Sequence, residues 1–153
     1  MRRKDKEITD RLVIDDIINR AEVCRVAFCN ENIPYIVPMN FGYRDNCLYF
    51  HSAREGKKLD MIKNNRLVCF EIDIDHEIIK DDNPCGWGMK YYSVIGYGKA
   101  ELIAEMDKKK KALDIIMGKY SDTKHYDYPE NVVRNIEIIK ITIAEVTGKK
   151  SGY

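Results

Sequence analysis

From Ser52 to Lys58 the chain reads SAREGKK: a serine, a glycine and three cations, Arg54, Lys57 and Lys58, within seven residues. An apolar run, CLYF, ends just before it at His51, and a short amphipathic pattern with Leu59 and Ile62 follows. That order places the group at a strand-to-helix turn. The first N–H groups of a helix have no partner within the helix and, with the helix dipole, favour an anion. Gly56 lets the backbone approach closely, Ser52 offers a hydroxyl, and Lys57 and Lys58 add positive charge. Cations at a helix start oppose the dipole, a conflict that an anion lying between them would relieve. A phosphate suits this chemistry, and an exposed basic helix start accounts for the spacing equally well. No GxxxxGK[ST] sequence is present, so nucleoside-triphosphate chemistry is not indicated.

Other residue types are less concentrated. His51 stands at the end of the apolar run, where it could line a site beside the turn. Asp73, Asp75 and His76 lie close in sequence but supply too few ligands for a metal, and none is expected. Asp73/Asp75 and Asp81/Asp82 read as solvated carboxylates. Trp87, the single tryptophan, is flanked by glycines and could stack on a planar ring, as could some of the ten tyrosines. The five cysteines, at 24, 29, 47, 69 and 85, are odd in number and form no CxxC pair. Four lie in strand-like runs and read as buried free thiols of a reducing compartment. Cys85 alone sits in a loop context and is the candidate for reactivity.

The elements that must hold these residues follow from pattern. A chain of 153 residues with 44% apolar residues fits one domain, residues 1–153. Lys and Arg total 26 against 25 acids, a net charge of +1, which argues against a nucleic-acid partner. No apolar run is long enough to span a bilayer, and MRRKDKEITD has no apolar segment behind its charges, so no membrane partner and a cytoplasmic location are expected. Helices are predicted at 10–21, about 55–64, 106–120 (ending near Gly118) and 129–136, the four lysines 108–111 forming a solvated face. Strands are predicted at 23–29, 35–43, 47–52, 66–73, 91–103 and in the C-terminal EIIKITIAEVTGK, with 76–88 mostly loop. Pro38 marks an edge or interrupted strand, and Gly96 and Gly98 a bend or bulge. Consecutive hairpins rather than βαβ units give the fold class: mainly β, α+β, a six-stranded antiparallel barrel with short peripheral helices.

The segment YIVPMNFGYRDNCLYFHSAREGKKLDMIKNNRLVCFEI resembles the flavin-binding core of the pyridoxamine 5′-phosphate oxidase-like split barrels. Its P-x-N-F-G-Y strand, L-Y-F-H-S-A, x-x-G-K-K and N-x-R-x-C-F are most similar to the nitroimidazole-reductase branch and its flavin-nucleotide-binding relatives. SVIGYGKAEL and KITIAEVTGKKSGY extend the resemblance over nearly the whole chain. It implies a split β-barrel that holds FMN, or less often FAD, at a homodimer interface. The anion would be the flavin 5′-phosphate, held by Ser52, Gly56, Lys57 and Lys58 with Arg54 nearby, and His51 and Ala53 would also be cofactor-binding. Val37, Pro38, Met39 and Asn40 would line the isoalloxazine ring, Pro38 and Met39 packing on it. His51 would face the ring and the substrate as the catalytic candidate. Trp87, Tyr92 and Ser93 would come from the partner subunit. The resemblance implies a reductase of small planar acceptors such as nitroaromatics. A flavin-binding protein without turnover, or a related barrel with a haem-associated or deazaflavin ligand, are the other readings. The chain ends in KKSGY without the substrate-phosphate arginines of pyridoxamine-phosphate oxidases, so pyridoxal-phosphate synthesis is not implied.

Overall fold

The computed structural model describes residues 3–123 and 126–153. Its elements in chain order are β1 (Glu7–Ile8), α1 (Arg11–Arg20), β2 (Cys24–Asn30), β3 (Ile33–Met39), β4 (Gly42–Arg44), β5 (Cys47–Ala53), α2 (Lys57–Asn64), β6 (Leu67–Ile79), β7 (Gly88–Ile103), α3 (Met106–Tyr120), α4 (Glu130–Arg134) and β8 (Ile136–Ser151). The strands form one antiparallel sheet in the order β3-β2-β6-β7-β8-β5-β4, with β1 paired to β8. The antiparallel split-barrel class stands, with eight strands in place of six. The predicted strand 35–43 divides at Asn40 and Phe41 into β3 and β4, and the two-residue β1 is too short to leave a pattern in sequence.

Tight turns set the register. Glu31 and Asn32, then Asp45 and Asn46, have positive φ in two-residue hairpin turns that join β2 to β3 and β4 to β5. The region expected to be loop from residue 76 continues as strand. Asp75 has φ of 57°, the register shifts between Ile74 and Glu77, and pairing with β7 resumes as far as Ile79. That bulge interrupts the alternation that would have marked the strand. A second irregularity falls between Tyr97 and Gly98, where the two glycines had pointed to one.

All four phenylalanines, Phe28, Phe41, Phe50 and Phe70, are buried in the barrel interior. Asp10 caps α1 by accepting from the Leu12 N–H at 2.9 Å, and α1 adds Ile14, Ile17 and Ile18 to the core. Leu59, Met61 and Ile62 do the same for α2. The helix α3 runs through Gly118 to Tyr120, and Lys119 then donates to the carbonyls of Ile18 and Asn19 at the end of α1. Its inner stripe is Lys109, Ala112 and Ile116, so the lysine run is not wholly solvated: Lys109 is buried.

Close approach at Gly96 tests this packing. A Cβ there would lie 2.3 Å from the Phe70 ring and 2.8 Å from the Glu145 carbonyl. Gly96→Ala should lower stability by about 1–3 kcal/mol in a denaturant titration, whereas Gly118→Ala, which meets nothing within 4 Å, should not.

Candidate functional site

The turn after β5 is built by strand alternation. Leu48, Phe50 and Ser52 face the interior, and Tyr49, His51 and Ala53 face away. Ser52 is only 5% exposed, and its hydroxyl has no hydrogen-bond partner among the described residues. A buried hydroxyl without a partner is costly. Gly56 follows with φ of 141°, a conformation for glycine, and the space a Cβ would occupy is open. Helix α2 starts there with no side-chain cap, so its first N–H groups are free. Asp60, the acid of its first turn, pairs with Lys63 at 3.2 Å, leaving Lys57 and Lys58 without a carboxylate partner among the described residues. The turn therefore brings together an orphan hydroxyl, an open glycine cradle, unpaired helix N–H groups and two free ammonium groups. All of these are donors or cations, and they fit a phosphate.

The predicted ring-lining segment lies beside it. Lys57 Nζ stands 4.7 Å from the centroid of the Tyr35 ring on β3. Tyr35, Val37 and Met39 pack against the core, and Pro34, Ile36 and Pro38 face away. Pro38 and Met39 thus present opposite faces of the strand and cannot both pack on one side of a ring. Strand β3 ends the sheet, as Pro38 predicted. Its regular hairpin pairing with β2 points the backbone groups of residues 34, 36 and 38 outward. Between the two prolines, only Ile36 offers an outward N–H, beside three carbonyls. Asn40 is exposed just past the strand. The next residue is anchored, Phe41 N–H donating to the Tyr120 hydroxyl at 2.9 Å.

Trp87 and Ser93 are not brought to this place within one protomer. Ser93 lies opposite Lys149 on β8, and His51 opposite Ile138. Those eleven residues of strand correspond to roughly 35 Å. Trp87 is farther still, on the β6–β7 loop, 53% exposed, its Nε1 donating to the Asp81 carbonyl at 2.6 Å. Tyr92 stacks on Tyr153, with ring centroids 4.6 Å apart.

Other candidates resolve as structural. Asp73 pairs with Arg25 and His76, and Asp75 with Arg20, so these carboxylates are ion-paired rather than free. No cluster suited to a metal occurs among the described residues. All five cysteines are free; Cys24 and Cys47 are buried, but Cys29, at the hairpin end of β2, is exposed, as is Cys85. Burial pushes the Cys24 thiol well above its usual range, which leaves it inert.

Two features escaped the sequence. One is Tyr35, whose alternation with Val37 and Met39 was the available signal. The other is a cavity of about 400 Å³ between α2 and the β2–β3 turn, lined by Lys57, Asp60, Met61, Asn30, Glu31 and Ile33. It adjoins the β5–α2 turn through Lys57.

A family profile described as pyridoxamine 5′-phosphate oxidase matches residues 10–150. The chain belongs to that family. Within the pyridoxamine 5′-phosphate oxidase fold it is similar to a candidate 5-nitroimidazole antibiotic resistance protein of Bacteroides thetaiotaomicron, at 37% identity and a TM-score of 0.85 over 94% of this chain and 86% of that one. The flavocytochrome Anf3 of Azotobacter vinelandii superposes with a TM-score of 0.88 at 15% identity, covering 100% of this chain and 72% of that one. A FAD- and haem-binding protein of Mycobacterium smegmatis gives 0.87 at 18% identity, over 97% and 74%. The last two likenesses show the fold alone. No functionally curated protein matches the chain.

The orphan hydroxyl gives a prediction for the ligand-free protein. Ser52→Ala removes an unpaired buried polar group and should raise apo stability by about 1 kcal/mol, measured by thermal denaturation. A loss of stability would mean that Ser52 already has a partner.

Proposed function

We propose that the protein binds FMN and uses it to reduce small planar acceptors of the nitroimidazole or nitroaromatic type. The observation that carries the phosphate reading is the buried, unpartnered Ser52 hydroxyl beside the uncapped start of α2. The acceptor class rests on the 37% identity to the candidate 5-nitroimidazole resistance protein. Bound flavin supplies the redox chemistry, an electron pair passed from the reduced ring to the acceptor. The protein's own residues bind and orient. Lys57, Lys58, the Ser52 hydroxyl and the first α2 N–H groups hold the phosphate. The outward carbonyls of β3 and the Ile36 N–H meet the polar edge of the ring, with Asn40 at its end. His51, exposed on the outer face of β5, stands next to Ser52 and faces the acceptor side.

The site is completed by a second copy of the chain. Ile36, Leu67, Ile95 and Tyr97 are 63%, 61%, 44% and 56% exposed on one face of the sheet, an apolar patch that a homodimer would cover. Such a dimer is also the only route by which Trp87 and Ser93 reach a flavin bound at the turn. FAD is a second reading, favoured by the 400 Å³ cavity next to Lys57, which has room for a group beyond the phosphate.

Four measurements test this. The purified protein should show the visible bands of oxidised flavin, or take up added FMN. Lys57→Ala with Lys58→Ala should weaken FMN binding by about tenfold to hundredfold per lost contact, read by fluorescence titration, and unchanged affinity would remove the phosphate assignment. Reduced protein-bound flavin should be oxidised by a nitroaromatic faster than free reduced FMN is. Equal rates would leave a binding protein without turnover. On size-exclusion chromatography Tyr97→Arg should shift a dimer to monomer and reduce flavin affinity.

A further inference from the structure

Lys109 is the second lysine of the 108–111 run, yet it is 6% exposed and points inward from α3. Its Nζ donates to the Ile136 carbonyl at 2.6 Å and lies 3.4 Å from Glu137 Oε2. Those two residues begin β8, and their register partners are Ala53 and Ser52. The Lys109 ammonium therefore stands directly behind the last two residues of β5, where the chain enters the phosphate turn. Glu137 and Ser52 are directly opposite on neighbouring antiparallel strands, so their side chains share a face with Cβ atoms about 5 Å apart. A carboxylate there is the natural acceptor for the Ser52 hydroxyl, but the two form no hydrogen bond. Glu137 is held by Lys109 instead.

We propose that Lys109 is a positioning residue of the anion site. It neutralises Glu137, so that no unpaired carboxylate faces the bound phosphate, and it keeps Glu137 from capturing the hydroxyl that Ser52 would otherwise give the phosphate. The inference rests on the phosphate reading above. Removing the ammonium leaves a shielded, uncompensated carboxylate next to Ser52, where its repulsion is only weakly screened. The effect belongs to the charged end of the ligand, because Glu137 lies opposite Ser52.

The test compares FMN with riboflavin, which has the same ring and no phosphate, in the full-length wild type, Lys109→Met, Glu137→Gln and the double variant. Lys109→Met should raise the FMN dissociation constant by about tenfold or more with little change for riboflavin. Glu137→Gln on that background should restore it, and Glu137→Gln alone should bind FMN at least as tightly as the wild type. Equal losses for both ligands, or a loss that Glu137→Gln does not repair, would reduce Lys109 to a packing role and overturn the proposal, as would no loss at all. If Lys109→Met does not fold, the single and double Glu137→Gln variants still decide: weaker FMN binding in either refutes it. A wild type that binds riboflavin as tightly as FMN would instead sink the phosphate reading itself, and this inference with it.

Discussion

Seven consecutive residue pairs, from Cys47 opposite Thr142 to Ala53 opposite Ile136, tie β5 to the last strand of the chain. Everything at the candidate site is referred to that ladder. It ends β5 where β8 begins, so the chain must turn at Arg54–Gly56 and start α2 there. It puts Ser52 on the inner face and His51 on the outer one. It also decides which residues of β8 lie behind the turn, and through them which residue of α3 can reach it. The same strand pairs with β7 on its other side, and the length of that ladder keeps the β6–β7 loop far from β5 within one protomer.

The turn gathers polar groups that lack a partner within the described residues. Arg25, Arg20, Arg11 and Lys90 all find carboxylates, and the ends of α1 are capped by Asp10 and Lys119. Lys57 and Lys58 find no carboxylate and the buried Ser52 hydroxyl finds no partner among the described residues, and the three lie within seven residues. Structural ion pairs account for Asp73 and Asp75, which the sequence had read as solvated carboxylates with too few neighbours for a metal. What separates the two places is whether the partner is already part of the chain.

Much of the fold was legible because local signals agreed with tertiary ones. The Asn- and Asp-containing turns, the apolar runs of β2, β5 and β6, the glycine pair in β7 and the proline-marked edge each gave the right element. The boundaries that failed did so where a non-local partner overrode the pattern. Residues 76–79 look like loop until β7 is there to pair with them beyond the Asp75 bulge. The 106–120 helix, by contrast, keeps its predicted range: it passes through Gly118 to Tyr120, which reaches the carbonyl of Glu22, while Lys119 reaches α1. In the site, SAREGKK marked the turn through residue type and order, while the burial of the unpartnered Ser52 hydroxyl shows only in the fold. The opposite faces of Pro38 and Met39 followed from strand periodicity, which the family pattern had obscured. Lys109 was hidden by its neighbours: in a run of four lysines, only the spacing to Ala112 and Ile116 distinguishes the buried one.

The prolines at the sheet edge have a consequence beyond the barrel. An open strand edge is a template on which another chain can polymerise, and β3 is seven residues long with an apolar outer face. An incoming strand needs donors and acceptors in alternation. Between Pro34 and Pro38 this edge offers carbonyls but a single N–H, so an added strand would find its own carbonyls unmatched. The edge is poor ground for amyloid-like growth, yet its outward carbonyls could still accept hydrogen bonds from a compact, donor-bearing heterocycle. Selection against aggregation and selection for a ligand can thus act on the same two residues, and replacing either proline would relax both at once.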